Sequence, residues 1–163
     1  MRGEKILTCI YTIGHGNQSV EQFISLLRRH DIAVVIDIRS APYSAYVNQF
    51  NKREIESALI GAGITYIYAG DRLGGKPRDE SLQTPKGVTD YERLGNSDAF
   101  KESLDWLNET AAETRLAIMC SEVDPFSCHR ESLIGKKMRE RGVEVLHIIG
   151  DGDIVVQEQG SLF

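Results

Sequence analysis

Apolar and β-branched residues run almost unbroken through residues 6–13, the pattern of a strand covered on both faces. The run stops at Gly14-His15-Gly16-Asn17. Beyond it, Ser19 and Gln22 stand at capping-box spacing, and Val20, Phe23, Ile24 and Leu27 recur on one helical face as far as His30. The alternation then repeats. Residues 32–38 read as a second buried strand, Asn51 with Glu54 opens a helix carrying Ile55 and Leu59, and Gly63 ends it before a third strand at 64–69. Ser97 opens a helix through Phe100, Leu104 and Leu107, and residues 116–120 form a fourth strand. A further helix starts near Ser127, carries Leu133, Ile134 and Met138, and ends at Gly142 before a fifth strand at 143–149. Asp151-Gly152 marks a turn after which residues 154–156 fold back as an edge strand.

Strands alternating with helices predict an α/β fold: a single-domain, three-layer αβα sandwich with a mostly parallel sheet of five to six strands. The length of 163 residues suits one domain spanning 1–163. One stretch breaks the rhythm. Residues 70–96 exceed the roughly 12–15 residues beyond which structureless loops become uncommon, and Gly74-Gly75-Lys76-Pro77 and Thr84-Pro85-Lys86-Gly87 fill the stretch with breakers. It is either a lid over a site or a segment holding elements that the pattern does not reveal.

Charge narrows the partners. The totals of 19 Lys/Arg and 24 Asp/Glu give a net charge of −5, which does not favour gripping nucleic acid by overall electrostatics. The excess is uneven: residues 1–81 hold 10 basic and 9 acidic residues, net +1, and residues 82–163 hold 9 and 15, net −6. A local basic cleft is compatible with both halves. No apolar run approaches the roughly 18 residues of a membrane helix, and no signal-type cleavage site follows the start, so the expected location is the cytoplasm. Three cysteines, Cys9, Cys120 and Cys128, cannot pair completely, and reduced thiols are expected.

In a parallel sheet the loops after the strands gather along one edge, and here those loops hold the reactive residue types. Cys128-His129-Arg130 is the strongest local feature. With Ser127 as N-cap, the three would occupy a first helical turn, where free amides and a nearby guanidinium stabilise an anion or lower a thiol pKa. The alternative makes Cys128 a small buried residue and Arg130 a structural ion-pair donor. His15, between two glycines, is a general acid/base or a histidine that hydrogen-bonds its own loop. Asp37 and Arg39 lie two apart on one strand face, and form an internal ion pair or leave Arg39 to hold an anion bidentately. Glu122 is a candidate base on the same edge. Cys120 reads as a core residue, Cys9 as packing, and His147 as a satisfied core histidine. His30 and the basic stretch Lys136, Lys137, Arg139 and Arg141 read as partners of helix C-terminal dipoles.

Taken in order, these pieces resemble the family known as domain of unknown function 488. The resemblance rests on Thr12-Ile13-Gly14-His15, Asp37-Ile38-Arg39 with Pro42-Tyr43-Ser44, Gly63-Ile64-Thr65-Tyr66 leading to Leu73-Gly74-Gly75, Cys120-Ser121-Glu122, Cys128-His129-Arg130 and Val145-Leu146-His147-Ile148. One departure stands out: this chain has Gly16 where the family often has Ser after Gly-His. The resemblance implies an α/β protein with a shared polar edge and brings no established reaction.

The function expected from these residues is an enzyme, of hydrolase or transferase type, acting on an anionic and nucleotide-like or nucleic-acid-related substrate. His15, Glu122 and Cys128 are its candidate catalytic residues, and Arg39, Ser44, Gly74, Gly75, His129 and Arg130 its candidate substrate-binding residues. Sulfur transfer through a cysteine persulfide is an alternative, since the chain loosely resembles rhodanese-like proteins while lacking their short cysteine-to-helix loop. A metal- or nucleic-acid-binding module is another. Cys120, Cys128, His15 and His129 are four potential zinc ligands, yet no C-x-x-C pair is present and adjacent Cys128 and His129 diverge on a helix, so no metal or cofactor is expected.

Overall fold

The computed structural model describes residues 8–156. Its sheet has six strands, β1 (Cys9–Gly14), β2 (Val34–Asp37), β3 (Thr65–Tyr68), β4 (Leu116–Cys120), β5 (Glu144–Ile148) and β6 (Ile154–Val155), in the order β3-β2-β4-β1-β5-β6. All neighbours pair in parallel except β6, which returns antiparallel to β5. The α/β sandwich read from the alternating pattern is the observed architecture. Positions 6 and 7 of the expected first strand lie outside the described residues.

Side-chain alternation along the buried strands sorts the core into two layers. Leu116, Ile118 and Cys120 of β4 pack with Leu104 and Leu107 of α5 (Asp98–Glu113) and with Leu133, Ile134 and Met138 on one face of the sheet. Ala117 and Met119 of the same strand pack on the other face against Phe23 and Leu27 of α1 (Val20–Arg29) and Ile55 and Leu59 of α2 (Lys52–Gly61). The capping box expected at the start of α1 is present, with the Gln22 amide donating to Ser19 and the Ser19 amide to the Gln22 side chain. Asn51 precedes α2 but does not cap it through its side chain; its Oδ1 accepts from the Ser44 amide at 2.7 Å instead.

Residues 70–96 are not structureless. They contain α3 (Gly70–Leu73), a 3-10 turn at Glu80–Leu82, a bridge between Gln83 and Thr89, and α4 (Tyr91–Gly95). Elements of three to five residues are too short to show a periodic apolar face, which is why the pattern did not announce them.

The chain after β4 departs more from expectation. Ser127 does not cap a helix but ends a 3-10 turn at Pro125–Ser127 that is itself capped by Asp124. Cys128 follows in an extended conformation (φ −135°, ψ 151°), and its carbonyl accepts the amides of Glu131 and Ser132. The helix therefore starts one residue later than the sequence suggested. Its first part, Arg130–Gly135, is a π-helical stretch that runs into α6 (Lys136–Glu140).

Candidate functional site

The connections from β1 and β2 leave toward the α1/α2 face and those from β3 and β4 toward the other, so a crevice opens at the carboxyl end of β4. Two close backbone approaches shape its walls. A Cβ on Gly14 would lie 1.6 Å from the Glu122 carbonyl oxygen, and one on Gly70 would lie 1.8 Å from that of Arg39. Only glycine lets these loops touch. The amides of His15 and Gly16 extend the β1–β4 pairing by donating to the carbonyls of Cys120 and Ser121, both at 2.9 Å.

On the α1/α2 side stands a fixed guanidinium. Arg39 donates from Nε and Nη2 to the two oxygens of buried Asp37 at 2.9 and 2.8 Å, and its Nη1 faces the Nε2 of His15 at 3.3 Å. The hydroxyl of Tyr66 donates to Asp37 at 2.6 Å; burial first, and then that bond, raise the Tyr66 phenol far above its ordinary value and keep it a donor. His15 Nδ1 lies 2.7 Å from the Gly16 carbonyl, so it carries the proton and leaves Nε2 to accept from Arg39. Its ring also stacks on Phe50 at 4.5 Å. Burial lowers the His15 pKa against a raising contribution from the Gly16 carbonyl, and the Arg39 charge lowers it further. Both imidazole nitrogens are engaged, one with the Gly16 carbonyl and one with Arg39.

On the other side stand two thiols. Period-2 alternation turns Cys120 toward the α5 face, where the Sγ of Cys128 lies 2.7 Å from its own. Cys128 Sγ also lies 3.7 Å from His129 Nδ1 and receives the Arg130 amide at 3.5 Å, so the thiol occupies the position of a helix-capping side chain. The Cys120 hydrogen bond, together with His129 and the Arg130 amide, outweighs burial and lowers Cys128 to about 5. Cys120 moves the opposite way, pushed up by burial and then by its hydrogen bond with Cys128.

Between the two sides lies a cleft of about 810 Å³. Arg39, Gly75, Glu122, Cys128 and His129 line it, as five of the nine expected site residues, joined by Cys120, Lys76 and Tyr91. The 70–96 segment supplies one wall, and Gly75 packs so closely on the His129 ring that a Cβ there would come within 2.9 Å of its Cγ. The other four expected residues stand elsewhere. His15 lines a separate pocket of about 490 Å³ with Gln18, Glu21 and Val123. Ser44 is spent on the amides of Tyr46 and Val47, and Gly74 closes α3 through its amide to the Gly70 carbonyl. Arg130 is fully buried and donates to Thr12 at 2.7 Å and to the carbonyls of Glu122 and Val123 at 2.8 and 2.7 Å. It braces the loop that carries Glu122 and, among the described residues, has no charged partner of its own.

In the sequence, Cys120 reads as a core residue or a potential zinc ligand and Asp37 as an ion-pair partner of Arg39, while Tyr66 has no assigned role at the site. The signal for Cys120 was its parity in β4, which points it to the face where the following helix starts. His147 is the satisfied core histidine expected of it, with Nδ1 2.5 Å from Thr12 Oγ1 and Nε2 2.9 Å from Glu131. Among the described residues, the ligand atoms of Cys120, Glu122 and Cys128 lie within 4.8 Å of one another, the spacing of a partial metal-ligand set. His15 is not among them, and His129 directs Nε2 to the Ile38 carbonyl at 3.2 Å.

Among described residues, no helix is long and apolar enough to cross a membrane. No curated protein and no solved structure matches the chain. The family model described as "Domain of unknown function DUF488" matches residues 19–136, a span that takes in Asp37, Arg39, Cys120, Cys128 and the whole 70–96 wall and begins just after His15. That span is well over half of the sequence, and the chain belongs to the DUF488 family.

Proposed function

We propose that the protein is a thiolate-dependent enzyme, a transferase or hydrolase, for an anionic substrate bound in the cleft beside Arg39. The observation that carries this reading is the setting of Cys128: a sulfur 2.7 Å from that of Cys120, 3.7 Å from His129 Nδ1 and 3.5 Å from the Arg130 amide, contacts that lower its pKa, at a cleft also lined by Arg39 and Lys76. In this reading the Cys128 sulfur attacks the electrophilic centre of the substrate. The bond from sulfur to that centre forms as the bond to the leaving group breaks, and the leaving group departs with the electron pair. Glu122, exposed and within ligand distance of both sulfurs, carries protons between the leaving group, the incoming acceptor or water, and solvent. Arg39 is held by Asp37 and His15 before substrate arrives, so little ordering remains to be done on binding. The cleft volume suits a small molecule of nucleotide size. Free Cys9, Cys120 and Cys128 fit a reducing compartment such as the cytoplasm.

The contact between Cys120 and Cys128 favours a second reading, sulfur transfer, in which Cys128 attacks the outer sulfur of a sulfane donor and an inorganic anion leaves. Incubation with thiosulfate distinguishes the two, because a persulfide on the tryptic peptide 116–130 marks sulfur transfer and an unmodified peptide removes it.

Competitive alkylation tests the leading reading. Iodoacetate, an anion, is expected to label Cys128 faster relative to neutral iodoacetamide than it labels a thiol of the unfolded chain, and Arg39→Gln is expected to abolish that preference. Equal selectivity in the folded and unfolded protein would contradict an anion site beside the thiolate.

A further inference from the structure

Two sulfurs on different elements approach within 2.7 Å at the cleft, and the established family description assigns them nothing. The approach is built by the fold. Cys120 is set by the register of β4, where it stands beside Gly14 of β1, and Cys128 is set by the 3-10 turn that precedes the π-helical stretch. Both cysteines are buried side chains that line the cleft, so the cleft is the route by which a small oxidant would reach them. Their separation needs to close by only about 0.7 Å to reach the roughly 2.05 Å of a disulfide. Two thiolates on a tetrahedral zinc, by contrast, stand about 3.7 Å apart, further than these sulfurs are.

We propose that Cys128 and Cys120 form a peroxidatic and resolving pair, in which a peroxide oxidises Cys128 and Cys120 closes an intramolecular disulfide. The proposal rests on the 2.7 Å approach of the two sulfurs and on the reading of Cys128 as the attacking sulfur under the proposed function. In the first step the Cys128 sulfur attacks one oxygen of hydrogen peroxide; the S–O bond forms, the O–O bond breaks, and the departing hydroxide takes a proton to become water. Cys128 is then a sulfenic acid. The Cys120 sulfur next attacks Sγ of Cys128; the S–S bond forms, the S–O bond breaks, and the second hydroxide leaves as water with the Cys120 proton. Two thiols and one peroxide give one disulfide and two waters. A dithiol reductant reverses the state.

The placement of Cys9 supplies an internal control. It lies at the start of β1, away from the cleft, and burial raises its pKa. Peroxide should leave it free.

The experiment treats the full chain with a small excess of hydrogen peroxide, alkylates it in denaturant with iodoacetamide, and weighs the tryptic peptide 116–130, which holds both cysteines. The expected product is that peptide lighter by two hydrogens than the reduced form, carrying no carbamidomethyl group, with Cys9 fully labelled. In Cys120→Ser, whose hydroxyl keeps a hydrogen-bond donor beside the Cys128 sulfur, Cys128 is expected to accumulate as a sulfenic acid captured by dimedone. The wild-type peptide decides the matter by itself if that variant fails to fold. Two extra oxygens on Cys128 with Cys120 still labelled would overturn the pair while leaving Cys128 a reactive thiolate. Resistance to both peroxide and alkylation at pH 6 would instead overturn the thiolate itself, and thus the proposed function as well. Tightly retained zinc that shields both cysteines would overturn the pair in favour of a metal centre.

Discussion

The Nη1 of Arg39 meets the Nε2 of His15 at 3.3 Å, and that contact decides what each residue is for. A histidine whose Nδ1 proton is directed to its own loop and whose other nitrogen accepts from a guanidinium has no nitrogen left for substrate. An arginine held at Nε, Nη1 and Nη2 keeps its remaining N–H groups in a fixed direction.

Removing the carboxylate from this arrangement leaves a buried, uncompensated charge. Asp37→Ala is expected to lower stability by on the order of 3–5 kcal/mol, the usual penalty for breaking a buried pair from one side. Urea denaturation measures it, and a loss below about 1 kcal/mol would show that Arg39 finds another partner.

Arg130 makes its contribution to the loop rather than to a ligand. Arg130→Lys keeps the charge but cannot span Thr12 and two carbonyls at once, and each buried acceptor left without a donor costs about 1–3 kcal/mol. The expected result is a protein with a lower Tm and, because the Glu122 loop loses its brace, slower alkylation of Cys128. An unchanged Tm would mean that the guanidinium is dispensable to the fold.

Two glycines give opposite expectations. Gly14→Ala drives a methyl into the Glu122 carbonyl and should either prevent folding or shift the loop and dismantle the cleft. Gly61→Ala, at the end of α2 with open space around it, should stabilise the protein by about 0.5–1 kcal/mol. Thermal melts of the two variants check the pair, and similar effects from both would contradict the close approach at Gly14.

Acid should unfold the protein through identifiable groups. Burial raises the Glu131 pKa, but hydrogen bonds from Arg139 and His147 outweigh it and hold the carboxyl near 2 against an ordinary 4.5. The unfolded chain therefore takes up that proton first; the stabilisation is complete above 4.5 and is lost as pH falls toward 2. His15 adds an earlier loss. Its folded pKa lies below the ordinary 6.5, so unfolding takes up a proton as pH drops through that value. Denaturation across pH should show stability declining from about 6.5 downward. Glu131→Gln should start less stable yet lose less between 4.5 and 2; parallel acid limbs for the two proteins would remove Glu131 from the account.

The elements were legible where the apolar pattern was long enough to have a period, as in β1, α1, α5 and β4. The short α3 and α4 were not. The polar edge was legible too, because parallel topology alone sends His15, Arg39, Glu122 and Cys128 to one end of the sheet. What each does there depended on contacts across the chain that local spacing does not encode. Arg130 lies beside a cysteine and a histidine in sequence, yet its partners are 118, 8 and 7 residues away. Cys120 looks like packing until the Cys128 sulfur beside it is known. Ser127 has the chemistry of a helix cap, but Asp124 and Pro125 start a tighter turn first, which leaves Cys128 at the cap position.

The proposed function turns on Cys128 being a thiolate at neutral pH with Cys120 beside it. The rate of Cys128 alkylation by iodoacetamide, followed on the peptide 116–130 as a function of pH, measures this directly. A half-maximal rate at about pH 5 is expected in the wild type, with a marked upward shift in Cys120→Ala. A midpoint close to the ordinary thiol value of 9.0, unchanged by that substitution, would contradict it.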